Sequence, residues 1–179
     1  MHSVYFARHG QTIWNVEDKI CGATDIELTN QGHQQATRLG NKIKEEKLCI
    51  DEILYSPLVR AAETARHVHE ITGIPMREEK RITEQNFGKF EGFGPRQGGA
   101  FEIEKQKFVC SYEGGESMLK LAARVYNLLD EIRDADKTYL LVAHGGIARM
   151  VNSYFFDMTN EEFAKFGLPN CAVLKYDFK

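Results

Sequence analysis

Short, almost wholly apolar runs alternate along this chain with longer stretches that are apolar on one side only. Val4-Tyr5-Phe6-Ala7, Ile53-Leu54-Tyr55 and Tyr139-Leu140-Leu141-Val142-Ala143 are runs of the first kind. They suit strands covered on both faces, and predict strands over residues 3–7, 52–55 and 138–143, with a last one over 172–178. Between them, apolar positions recur three and four residues apart. Ala36, Leu39 and Ile43 follow Thr29, a ready N-cap, and that helix should end near Lys47. Leu58, Ala61, Ala62, Ala65, Val68 and Ile71 follow Ser56-Pro57, which predicts a serine cap and a proline at the first helical position, with a stop at Gly73. Met118, Leu121, Val125, Leu128, Leu129 and Ile132 follow the cap residue Ser117, and a further helix is predicted over 147–156.

Strands alternating with helices predict an α/β fold: a three-layer sandwich with a mostly parallel central sheet and helices on both faces. Residues 87–114 break the rhythm. They are rich in glycine and carry Phe87, Phe90, Phe93, Phe101 and Phe108, too many rings for a linker. This excursion predicts a small cap over the crevice, its rings serving either as ligand contacts or as the core of the cap.

Composition narrows the class. The chain has 179 residues, which predicts one domain spanning 1–179. Its 23 basic and 26 acidic residues give a net charge of -3 and are interspersed, so the chain lacks the basic face of a nucleic-acid binder. The alternating signs over residues 76–81 predict a solvated face. Cys21, Cys49, Cys110 and Cys171 have no metal-ligand spacing and are expected as separate reduced thiols in a cytoplasmic protein. No apolar run approaches the ~18 residues that would suggest a membrane span. The sequence carries no readable oligomeric state.

Two histidines stand where a predicted strand meets a turn: His9, in Arg8-His9-Gly10-Gln11-Thr12, and His144, in His144-Gly145-Gly146. The carboxyl ends of strands in open α/β sheets are where ligands collect. A permanently charged Arg8 suits a phosphate, and nearby guanidinium charge keeps an imidazole neutral and nucleophilic. Arg60, in the first turn of a helix leaving a strand end, adds a second cation beside a helix amino terminus. Glu84 enters the aromatic excursion. Beside a bound phosphate dianion a carboxylic acid keeps its proton more readily, and so can hand it to a leaving alcohol. His67 and His69, at i and i+2 on a helix, do not face each other and make no metal pair; His2 and His33 carry no readable role.

Taken in order, these blocks resemble the histidine phosphatase superfamily, in the branch that includes the cofactor-dependent phosphoglycerate mutases. The resemblance runs from Arg8-His9-Gly10-Gln11-Thr12 with Asn15, through Gly22, Asp25, Leu28-Thr29 and Gly32, to Ser56-Pro57-Leu58 with Arg60. It continues with Glu84, Phe87-Gly88, Glu91-Gly92 and Gly115-Glu116-Ser117, and closes at His144-Gly145-Gly146. It implies that His9 accepts the phosphoryl group and that Arg8, Arg60 and His144 hold its oxygens, with Asn15 and the backbone at Gly145 helping. Glu84 is implied as general acid, then base. Gln11, Cys21 and Gly22 are further candidates for substrate contact.

Two arginines and a histidine neutralise a transferring phosphoryl group, so the chemistry calls for no metal and no cofactor. Arg96 is the one arginine of the segment over the site, where the mutases carry a pair. Cys21-Gly22-Ala23 stands where they have a Thr-Gly-Trp-like turn. These differences point to hydrolysis of a small-molecule phosphate ester. Mutase-type transfer and a catalytically idle phospholigand-binding protein are the alternatives.

Overall fold

The computed structural model describes residues 2–96 and 99–178; residues 97–98 of the aromatic excursion lie outside them. Five strands form one sheet: β1 (Ser3–Arg8), β2 (Glu52–Tyr55), β3 (Met76–Glu78), β4 (Tyr139–Ala143) and β5 (Val173–Asp177), in the order β3-β2-β4-β1-β5. All neighbours are parallel except β5, which runs antiparallel to β1 at one edge.

Alternate side chains of the central strands go to opposite faces, as the two-residue period of a strand requires. Val4 and Phe6 of β1, with Leu141 and Ala143 of β4, pack on α5 (Met118–Arg133) and α6 (Gly145–Phe155). Ala7, Leu140 and Val142 face the other way, onto α2 (Asn30–Glu45) and α3 (Val59–Thr72). Both faces being covered explains why these strands read as continuous apolar runs. Deleting a buried leucine such as Leu141 would cost about 2–5 kcal/mol.

Thr29 and Ser117 cap α2 and α5 as their sequences predict, accepting from the Gly32 and Lys120 amides. The expected start of α3 is corrected. Leu58, not Ser56, is its N-cap, so Pro57 lies outside the helix, and the Asp25 carboxylate, 34 residues upstream, accepts from the Val59 amide at 2.7 Å. The Ser56 hydroxyl pairs with His144 at 2.7 Å and accepts only a long bond, 3.4 Å, from the amide of Leu58, the residue before the helix.

The solvated face expected over 76–81 holds for Arg77, Glu78 and Lys80, which are exposed, and fails at Glu79. Met76–Glu78 is the edge strand β3, hidden in the sequence by its charged exposed residues. Glu79 beside it is buried and ion-paired to Arg81. Two short helices escaped the periodicity, α1 (Ile13–Val16) and α7 (Asn160–Lys165). Both open on a reciprocal capping box, Thr12 with Asn15 and Thr159 with Glu162, a signal legible in the sequence.

In the excursion, which includes α4 (Gly99–Glu104), Phe87, Phe90, Phe101 and Tyr112 pack ring on ring around Ile20. These rings form a small core of their own, while Phe93 and Phe108 are exposed. No helix among the described residues is long and apolar enough to cross a membrane.

Candidate active site

The register of β1 against β4 builds the crevice. Arg8 lies opposite Ala143, so the next residues, His9 and His144, leave the sheet side by side. Their ring centroids are 5.2 Å apart, and both imidazoles are buried. His9 Nδ1 lies 2.7 Å from the Gly10 carbonyl, an acceptor, so Nδ1 carries the proton and the lone pair sits on Nε2. His144 Nε2 pairs with the Ser56 hydroxyl at 2.7 Å, and its Nδ1 is buried without a partner. Burial first, then Arg60 and the other nearby cationic groups, hold both imidazoles well below the ordinary histidine range. Both are neutral at neutral pH.

Arg60 is fully buried and donates to the carbonyls of Thr24 and Gly22 at 2.8 and 2.7 Å. The turn presenting those carbonyls is fixed by Glu91, whose carboxylate accepts from the amides of Ala23, Thr24 and Phe87. Gly22 is glycine for space: a Cβ there would meet the Gln85 carbonyl at 2.3 Å. Arg8 donates to the Leu168 carbonyl at 2.7 Å. Burial and the neighbouring Arg96 and Arg60 bring its guanidinium down to about 10, still charged near neutrality.

Glu84 is buried. Its carboxylate accepts from the Gln85 and Gly146 amides, both at 2.9 Å. A Cβ on Gly146 would lie 2.4 Å from Glu84 Oε1, so only glycine lets α6 hold this carboxylate. Helix α6 starts two residues before its expected position, with His144 as N-cap. Gly145 is therefore its first residue, with an amide free of intrahelical bonding, and its Cα neighbourhood borders Arg8 Nε.

The remaining sequence candidates fall differently. Asn15 spends its carbonyl oxygen on the Thr12 amide (3.0 Å) and on Asn170 (3.3 Å), which leaves its amide nitrogen available. The Gln11 side-chain carbonyl is taken by Thr29 at 3.0 Å, toward the start of α2. Cys21 is half-buried near Arg60 and Glu84, and burial raises its thiol to about 11, so it is no nucleophile.

Sequence reasoning missed four residues. Asn170 donates to the His9 carbonyl at 2.8 Å and so ties the chain before β5 to the turn after β1. Arg149 stands three residues beyond Gly146, on the same face of α6 as the amide that holds Glu84. Its Nε is buried without a partner, and its charge feels both Glu84 and Tyr112. The Tyr112 hydroxyl is buried beside Gln85 with no hydrogen bond of good geometry. Lys105 is brought down to about 8 by burial and by Arg149. Only His144-Gly-Gly-x-x-Arg spacing on one helix face pointed to Arg149.

Among the described residues, the buried side-chain nitrogens and oxygens without partners belong to Arg8, Arg60, Tyr112, His144 and Arg149. None of these three arginines meets a carboxylate within ion-pair distance. An unpaired buried polar group costs about 1–3 kcal/mol and a buried charge more. Five such atoms around one crevice describe a receptor for an anion.

On this α/β scaffold the chain belongs to the histidine phosphatase superfamily (branch 1), which it matches over residues 4–179. Among curated proteins it is similar to the probable phosphoglycerate mutase GpmB of Yersinia pestis, with 30% identity over the whole of this chain and 86% of that one. Among solved structures it is similar to mycobacterial glucosyl-3-phosphoglycerate phosphatase, solved with VO3: 27% identity, 98% and 90% of the two chains, TM-score 0.84. It also resembles phosphoserine phosphatase of Entamoeba histolytica, solved with 3-phosphoglyceric acid: 28% identity, 99% and 91% of the two chains, TM-score 0.84. The family thus contains both phosphatases and mutases.

Proposed function

We propose that this protein is a phosphomonoesterase that works through a phosphohistidine at His9. The observation that carries the reading is the unpaired cationic crevice around two neutral imidazoles. The His9 Nε2 lone pair attacks phosphorus in line with the departing oxygen. As the P–O bond breaks, Glu84 gives its proton to the leaving alkoxide. Arg8, Arg60 and His144 neutralise the equatorial oxygens, the main requirement of phosphoryl transfer. Water then attacks the phosphohistidine while Glu84 takes its proton. The N–P bond breaks, the electron pair returns to Nε2, and inorganic phosphate leaves.

Arg149, Tyr112 and Lys105 form a group linked electrostatically to one another and, through Arg149, to Glu84. They support an ester whose alcohol carries an acidic group. The experiment is phosphate release from p-nitrophenyl phosphate and a metabolite panel in chelator, by wild type and His9→Ala. Release lost in the variant, with an acid-labile phosphoprotein trapped only in wild type, is expected. Release unchanged in the variant sinks the reading, and no release from any ester leaves an idle phospholigand binder.

Mutase-type transfer is the second reading, favoured by the names of the curated relatives and by cations suited to a second anionic group. It predicts interconversion of 2- and 3-phosphoglycerate stimulated by a bisphosphate primer, read with an enolase-coupled assay.

A further inference from the structure

We propose that His33, Glu63 and His67 form a zinc-binding site that ties α2 to α3 behind the turn carrying His9. The sequence reading assigned no metal ligands. His67 and His69 do not face each other, and the partner of His67 comes from another helix.

His33 lies in the first turns of α2, while Glu63 and His67 sit one turn apart on α3, a spacing at which side chains face each other. One ligand atom from each lies within 4.8 Å of the others. His33 Nδ1 and His67 Nε2 are 3.0 Å apart, with the rings edge to face. Nitrogen ligands about 2.0–2.1 Å from a tetrahedral zinc stand about 3.3 Å apart, so the two imidazoles need open only a few tenths of an ångström.

The outer groups favour the same arrangement. The Thr37 hydroxyl donates to the His33 carbonyl at 3.0 Å and therefore accepts from His67 Nδ1, at 3.5 Å. That leaves the His67 lone pair on Nε2, aimed at His33, the way an outer hydrogen bond orients a metal-bound histidine. Arg66 competes for Glu63 at 2.5 Å but also holds Glu70 at 2.6 Å, which keeps it paired when Glu63 turns to the ion.

Two imidazoles and one carboxylate suit zinc over magnesium or calcium, with water in the fourth position. The neighbours of these residues reach the crevice. The Gly10 amide donates to Thr64 Oγ1 at 3.0 Å, and the Gly10 Cα lies so close to Gly32 that a Cβ would sit 2.5 Å from its carbonyl.

The test is a zinc titration of the full chain, stripped with chelator, in competition with a chromophoric chelator. Wild type should retain one zinc and unfold at a higher temperature with it. His33→Gln/His67→Gln should bind at least about tenfold more weakly, and Thr37→Val about tenfold more weakly. Both should keep the zinc-free unfolding midpoint, which separates lost ligands from lost fold. Glu63→Gln gives a milder variant should the double one fail to fold. Cobalt in place of zinc should give a ligand-field spectrum without thiolate charge transfer. Undiminished zinc affinity in the histidine variants, no zinc retained by wild type, or a thiolate band from one of the cysteines would each overturn the proposal. Every readout is binding or unfolding, so the outcome is independent of the phosphatase reading.

Discussion

Arg124 is half-buried and Arg60 fully buried, and the fold treats Arg124 and the crevice arginines in opposite ways. Arg124 closes on Glu116 with two hydrogen bonds of 2.8 Å and gives a third donor to the Arg81 carbonyl. Arg81 in turn meets Glu79 and Glu131. Among the described residues Arg8 and Arg60 donate to backbone carbonyls, and Arg149 lies over the face of Phe163 with no ion pair. A chain selected for stability alone would pair such cations, because a buried unpaired charge costs several kcal/mol. The unpaired set surrounds two imidazoles held neutral by burial, and Glu84 is the carboxylate left among them. On the proposed function, the contrast marks where an anion would bind.

The sharpest break of that contrast is Arg60→Ala against Arg133→Ala. Loss of one preorganised donor to a developing charge costs about 10²–10³ in rate, so kcat/KM for any accepted ester should fall by about 10³. The surface variant, whose partners Asp130 and Asp134 are solvent-exposed, should change it less than about twofold. Equal losses in steady-state phosphate release would erase the distinction.

Glu84→Gln comes next. An alkyl ester should slow by about 10²-fold and p-nitrophenyl phosphate by less than about tenfold, because only the poor leaving group needs the proton. Parallel losses would remove Glu84 from the acid role.

The buried imidazoles also predict a pH dependence of stability. Unfolded histidines ionise near 6.5, whereas His9 and His144 resist protonation in the fold. As pH falls through about 6.5 the unfolded chain takes up protons first, so stability is lost on the acid side and regained as pH rises. Each histidine adds up to about 1.4 kcal/mol per pH unit to that slope. Denaturant midpoints for wild type and His144→Gln should diverge in slope below that pH, and parallel curves would contradict the neutral imidazole.

Arg149→Met should give the smallest effect. KM for esters of acidic alcohols should rise by about tenfold, the worth of one charge-assisted hydrogen bond. KM for p-nitrophenyl phosphate should hold, and the unfolding midpoint should not fall, since no ion pair is lost. A lower midpoint would mean that Arg149 is structural.

Much of the fold was legible because it is written locally. Thr29 and Ser117 announce their helices, and the both-faces-apolar runs of β1 and β4 announce a covered sheet. Strand β3 was not, because Arg77 and Glu78 at an edge look like any charged surface. The Ser56 assignment failed for a different reason. Cap chemistry was read from adjacent residues, while the hydroxyl is claimed by His144, 88 positions away.

By itself, then, the sequence determined the order of elements and placed His9 and His144 at the ends of strands and Arg60 in the first turn of a helix, since strand and helix periods are set by neighbours two to four residues apart. Only the tertiary structure decided that Arg149 and Tyr112 would be left without partners beside Glu84. It alone brought Asn170 against His9 and His33 against Glu63 and His67. Those meetings depend on strand register and helix packing, which join residues whose separation along the chain carries no local signal.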